Sequence, residues 1–129
     1  MKKPFKLRVP NKIINEIYSK VKKYPWSNIQ DMNDWKHGTN FNYLKEISKY
    51  WVSKFNWRKQ EKKINKFSNY LTKVDDINIH FIKEKGSGSN PMPLLFLHGW
   101  PGSFIEFLNI IEKLAHPESL EEKKKILLM

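Results

Sequence analysis

Apolar residues recur at intervals of three and four over the first half of the chain and at intervals of two further on, so the pattern predicts helices first and strands later. Ile13, Ile14, Ile17 and Val21 mark one helix after Pro10-Asn11. Asn11 is read as its cap, Lys22-Lys23 suit its negative end, and Tyr24-Pro25 stops it. A stretch rich in Asn, Asp and Trp follows. A second helix is predicted from Asn40, its cap, to Phe55, burying a stripe of Leu44, Ile47, Trp51 and Phe55. A short third helix from Trp57 presents Trp57, Gln60, Ile64 and Phe67, with lysines on its outer face.

The period then shortens. Leu71 to Val74 leads through Asp75-Asp76 into Ile77-Asn78-Ile79-His80-Phe81, which reads as a β-hairpin with Ile77, Ile79 and Phe81 on one face. Residues Lys85 to Pro91 read as a flexible turn. Leu94-Leu95-Phe96-Leu97 is continuously apolar, as in a strand buried on both faces. Ser103 with Glu106 forms a capping box, and Phe104, Phe107, Leu108, Ile111 and Leu114 mark a helix from Ser103 to Leu114, ended by His116-Pro117. The fold class expected is α/β.

Charge alters this picture little. The chain has 24 basic and 13 acidic residues among 129, a net charge of +11 that would favour phosphate backbones or anionic lipid. Most lysines, however, alternate with apolar helix positions, as on a solvated helix face. The dense run Lys123-Lys124-Lys125 adjoins Glu121-Glu122. With no nucleic-acid-reading motif, no nucleic-acid partner is expected. The absence of cysteine excludes disulfides and thiol chemistry. His37, His80, His98 and His116 are far apart in sequence, so no metal site is expected. No apolar run approaches the roughly 20 residues of a membrane span, and Met1-Lys2-Lys3-Pro4 opens no signal sequence. A soluble, cytoplasmic chain is expected. Asp31, Asp34, Asp75 and Asp76 read as capping or turn residues, His80 as a satisfied or half-exposed residue, and the aromatics as core and docking groups.

The candidate chemistry lies in His98-Gly99-Trp100-Pro101-Gly102-Ser103, between the buried-type strand and the capped helix. Glycines permit close backbone approach, the proline fixes a turn, and the helix start supplies unpaired N–H donors. Such a loop suits a developing oxyanion, because α/β-hydrolases take one oxyanion donor from the loop after their third strand.

This loop, from Leu97 to Ser103, resembles that of epoxide hydrolases of the microsomal and juvenile-hormone type. Asp34-Trp35, Gly38-Thr39-Asn40, Tyr43-Leu44-Lys45, Tyr50-Trp51, Trp57-Arg58 and Ile79-His80-Phe81 extend the resemblance, which covers residues 4 to 115. It implies a helical epoxide hydrolase N-terminal domain (1–70), the first strands, oxyanion loop and first helix of a truncated α/β-hydrolase domain (71–115), and a divergent tail (116–129). It also implies hydrolysis of apolar epoxides to vicinal diols through a covalent ester, without cofactor or metal. The backbone N–H of Trp100 would be the oxyanion donor. His98, Gly99, Pro101 and Gly102 would shape the loop, with Pro101 cis and His98 ordering it instead of acting as a base.

The family's nucleophile elbow, a Gly-Gly-Asp-Trp-like segment, does not occur in these 129 residues. The chain is therefore expected to be an N-terminal fragment, inactive alone and prone to self-association. It departs from the family pattern after Ala115, and at Asp76, where glycine is usual. The alternative reading is a non-enzymatic basic helical binding module.

Overall fold

The N–H groups of a helix's first turn need acceptors, and a side chain just ahead of the helix can supply one. Asn40 does so, its Oδ1 accepting from the Tyr43 N–H at 3.0 Å, while its Nδ2 donates to the Asn33 carbonyl at 2.6 Å. The computed structural model of the protein describes residues 1–28 and 33–118. Asp31 and the run from Glu121 to Lys125 lie outside them. The elements are β1 (Lys3–Pro4), α1 (Asn11–Lys22), α2 (Phe41–Ser53), α3 (Trp57–Ile64), β2 (Asn69–Val74), β3 (Ile77–Ile82) and α4 (Leu108–Ala115), with 3-10 turns at Trp26–Asn28 and Phe104–Phe107. No described helix is long and apolar enough to cross a membrane.

By packing, the described chain forms two units, one of Arg8–Glu61 and one of Met1–Leu7 with the residues from Lys62 onward. In the first, α1 begins as the pattern requires, but Asn11 is not its cap. Pro10 takes that position without a side-chain bond, and Asn11 Oδ1 instead accepts from Arg58 Nη2. The apolar stripes of α1 and α2 do not close into a core. Ile13, Ile17, Ile47 and Trp51 stay substantially exposed and line a groove of about 620 Å³ that also takes in Tyr18, Phe55 and Trp57. Leu44, expected to be buried, is exposed as well. Phe41 is the buried apolar residue of this unit, its ring edge-on to Trp26 at 5.9 Å and covered by Lys45 Nζ at 4.0 Å.

Glu61 is the polar anchor of this unit, and the apolar periodicity gave no sign of it. Only 4% exposed, its carboxylate accepts from the Val9 N–H and the Trp57 indole N–H, both at 2.8 Å, and from Arg58 Nη1 at 2.6 Å. Trp57 and Arg58 precede it by four and three residues, so one helix face brings all three together. Burial alone would raise the carboxyl pKa. The bonds from Arg58, Val9 and Trp57 and the guanidinium charge outweigh burial and hold it below the ordinary value.

In the second unit β1, β2 and β3 form an antiparallel sheet in that order, with Lys3 opposite Leu71, and Leu71 opposite His80. The hairpin turn lies at Asp75-Asp76, both left-handed (φ 46° and 65°), the conformation of a type I′ turn. Aspartate tolerates it, and Lys73 Nζ pairs with Asp76 Oδ1 at 2.6 Å. Ile77, Ile79 and Phe81 share a face, but Ile77 and Ile79 are open to solvent. The better covered face carries Asn69, His80 and Ile82.

Asn69, 4% exposed, is fully bonded. Its Nδ2 donates to the carbonyls of Ile64 (2.9 Å) and Phe67 (2.7 Å), and its Oδ1 meets His80 Nε2 at 2.9 Å. Phe67 thus lies past the end of α3, in the turn this amide closes.

Two expectations fail in the second half. Leu94–Leu97 is not a strand and is not buried: Leu95 and Leu97 are 84% and 80% exposed. No described strand runs beside it, so its backbone joins no ladder, and only Phe96 finds an aromatic neighbour, Phe107 at 5.3 Å. In the turn at 85–91, Ser87 N–H and Oγ both donate to the Ala115 carbonyl, at 2.8 and 3.1 Å. That carbonyl is one of the unpaired groups at the end of α4.

Because the Glu61 pKa is depressed in the folded chain, its contribution is fully present above its unfolded value near 4.5 and is lost as pH falls through the lower folded value. Thermal unfolding followed between about pH 6 and pH 3 should show the midpoint falling over the acid end of that range. Glu61→Gln should have a lower midpoint at neutral pH and a flatter acid limb. An acid limb as steep as that of the parent chain would mean other carboxylates carry the effect.

Candidate functional site

The loop from His98 to Gly102 is held at its C-terminal side by the capping box. Ser103 is extended (φ −152°, ψ 168°), its N–H donates to Glu106 Oε1 at 3.1 Å, and its Oγ accepts from the Ile105 N–H at 3.4 Å. The helix predicted from Ser103 to Leu114 begins as the 3-10 turn Phe104–Phe107 and continues as α4 to Ala115. Tight turns of this kind are common at helix starts.

The Trp100–Pro101 peptide is cis. Trp100 is 96% exposed. His98 Nδ1 donates to the Gly99 carbonyl at 3.1 Å.

The two glycines differ. At Gly102 a Cβ would clash with the Glu106 carboxylate and lie 3.0 Å from the Gly99 carbonyl oxygen. Glycine there is therefore required by the reach of Glu106 back to the Ser103 N–H, not by an unusual φ. At Gly99 a Cβ would meet nothing within 4 Å, so no internal contact demands glycine and that side of the loop is open to approach.

Three residues that sequence reasoning did not connect to the loop stand behind it. The His80 ring lies edge-on to Phe104 at 4.7 Å and to Phe5 at 5.4 Å while bonded to Asn69. Partial burial among these groups lowers its pKa from the ordinary 6.5, favouring the neutral ring. The only hint in the sequence was Ile79-His80-Phe81, read as part of a resemblance and not as a support. Asp34, Asp75 and Asp76 are turn residues, Asp34 accepting from the Lys36 N–H at 3.0 Å. His37 and His116 stand apart from the loop in the sequence, His116 at the end of α4, 3.8 Å from Glu118. Among the described residues no group of three His, Asp or Glu is placed to hold a metal ion.

The family described as "Epoxide hydrolase N terminus" matches residues 2–107, including the whole of this loop. The chain is 38% identical over 121 residues to epoxide hydrolase 1 of Sus scrofa, covering 91% of this chain and 27% of that protein. It is 32% identical over 120 residues to juvenile hormone epoxide hydrolase 1 of Ctenocephalides felis, covering 91% and 26%. The solved juvenile hormone epoxide hydrolase of Bombyx mori superposes with a TM-score of 0.78 at 28% identity, over 88% of this chain and 28% of that one. The chain thus spans about a quarter of the length of the curated relatives it matches. Its elements are a helical leader and the first strands and first helix of an α/β-hydrolase fold. With a matched profile over most of its length and a shared fold, the chain belongs to the epoxide hydrolase N-terminal family.

Proposed function

We propose that this chain contributes the N-terminal part of an epoxide hydrolase acting on apolar epoxides, with the backbone N–H of Trp100 as one oxyanion donor and His98, Gly99, Pro101 and Gly102 shaping the loop. The single observation that supports this most is the capped turn directly after Trp100-Pro101-Gly102, in a segment inside the matched family region. In the two-step reaction a carboxylate attacks an epoxide carbon, the C–O bond breaks, and tyrosines protonate the leaving oxygen. Water activated by a histidine then attacks the ester carbonyl, and the negative oxygen that forms is where the Trp100 N–H would act. The ester is released as carboxylate and vicinal diol. No cofactor or metal enters these steps. Such a conversion would serve detoxification or aromatic compound catabolism.

In that scheme this chain would supply part of the hole. The division into a leader (1–70), hydrolase start (71–115) and tail (116–129) belongs to the same proposal. A basic, charge-driven binding module is the weaker reading, because a capping box adjoining this loop has no purpose in it.

The chain alone is expected to form no diol from a styrene-oxide substrate. Heat-sensitive turnover above buffer would mean that it carries a nucleophile of its own.

The loop chemistry can be read in a chimera in which residues 2–107 replace the matching part of a full-length relative, by following ester hydrolysis in single turnover. Gly102→Ala should lose more than Gly99→Ala, since displacing Glu106 removes a helix cap, a loss of about 1 kcal/mol in stability. Trp100→Phe keeps the N–H and should be mild. A large loss for Trp100→Phe would assign the work to the indole.

Self-association is also expected, through the exposed Leu94–Leu97 segment and the free edge of β3. The positive charge opposes it and salt screens that charge. Sedimentation should show larger species as salt rises. A monomer at all salt concentrations would count against this.

A further inference from the structure

The loop's own bonds fix its shape but not its place, because His98 bonds to its neighbour Gly99 and the capping box is contained within Ser103 to Glu106. Something outside the loop must locate it against the sheet. The side chain that leads out of it is Phe104, next to Ser103, and its ring meets His80 at 4.7 Å. His80 is itself held from both sides. Its Nε2 is bonded to Asn69 Oδ1 at 2.9 Å and its ring is flanked by Phe5 at 5.4 Å.

Asn69 cannot yield easily, being buried with both amide hydrogens given to the Ile64 and Phe67 carbonyls. An imidazole suits this position better than a purely apolar ring or a purely polar chain, since it offers an N–H at one edge and aromatic surface elsewhere. Of the charged groups on the elements around it, Glu106 is engaged with the Ser103 N–H, Glu84 with the Ser68 N–H, and Lys73 with Asp76.

We infer that His80 is a positioning residue for the oxyanion loop, transmitting the location of buried Asn69 through its ring to Phe104 and so setting where the capped turn begins. The inference rests on the proposed role of the loop, but its structural half stands without it. His80 touches no reacting atom.

Two measurements test it. In the chain itself, amide hydrogen exchange at Ser103 and Ile105 reads the two cap bonds. His80→Gln, which can still donate to Asn69 but presents no ring, should speed exchange at both amides by about tenfold, with Tyr70 and Leu71 in the hairpin changed less than about twofold. Phe104→Ala should do the same, and the two together should add nothing further. Cap amides exchanging at the parent rate in His80→Gln and Phe104→Ala would overturn the positioning role.

In the chimera, His80→Gln should slow ester hydrolysis by about tenfold while ester formation changes less than about twofold. Loosened cap amides with an equal loss in both steps would support positioning and count against the oxyanion assignment of Trp100. Loosened amides with loss confined to ester hydrolysis would support both.

Discussion

A buried primary amide must satisfy two donors and an acceptor or destabilise the fold, and the side chain of Asn69 meets that demand by joining two backbone carbonyls to an imidazole ring. Its two N–H bonds close the turn after α3, and its oxygen fixes the imidazole of His80 on β3. Through His80 the constraint reaches Phe104 and the start of the capped turn. The position of the candidate loop therefore descends from one neutral residue at the head of β2. A leucine of similar size there would remove one donor from each of two carbonyls and the partner of the His80 ring nitrogen.

Glu61 plays the corresponding part for the helical unit, at greater electrostatic cost because it is charged. Its burial is tolerated through several strong donors at once, which is what the physics of a desolvated carboxylate demands. The spacing of acceptors is regular. Glu61 takes the Val9 N–H, the Asn65 side chain takes that of Leu7 at 2.8 Å, and the Asn69 carbonyl takes that of Phe5 at 2.9 Å. Each of these acceptors lies more than fifty residues from its donor along the chain.

That geometry explains what could be read from the sequence. Local signals survived: the Asn40 cap, the hairpin turn at Asp75-Asp76 and the Ser103–Glu106 box each depend on residues within a few positions, whereas the cis Pro101 was implied by the family resemblance. Distant pairings did not. β1 is two residues long and shows no alternation to detect, and Glu61 sits among lysines on a helix whose apolar stripe points attention to Ile64. Asn11 was misread because Arg58, 47 residues away, competes for its oxygen. The Trp57-Arg58 pair was noticed only as part of a resemblance, though both residues donate to Glu61.

The segment Leu94–Leu97 marks the other limit of pattern reading, since apolar composition reports the environment a strand prefers and not whether that environment is present. Its exposures alternate. Leu94 and Phe96 are 56% and 44% exposed on the side where Phe107 lies, against more than 80% for Leu95 and roughly the same for Leu97 on the other. One face is therefore half satisfied by the turn ahead of α4, while the opposite face and both backbone edges are without partners among the described residues. A strand gains its stability from ladder bonds and cross-strand pairs, not from its own sequence, so four apolar residues form no strand where no described neighbour runs beside them. The loop that follows keeps its shape in spite of this. Its restraints come from Glu106 and from the line through Phe104 and His80 to Asn69, all of which lie off the unpaired segment.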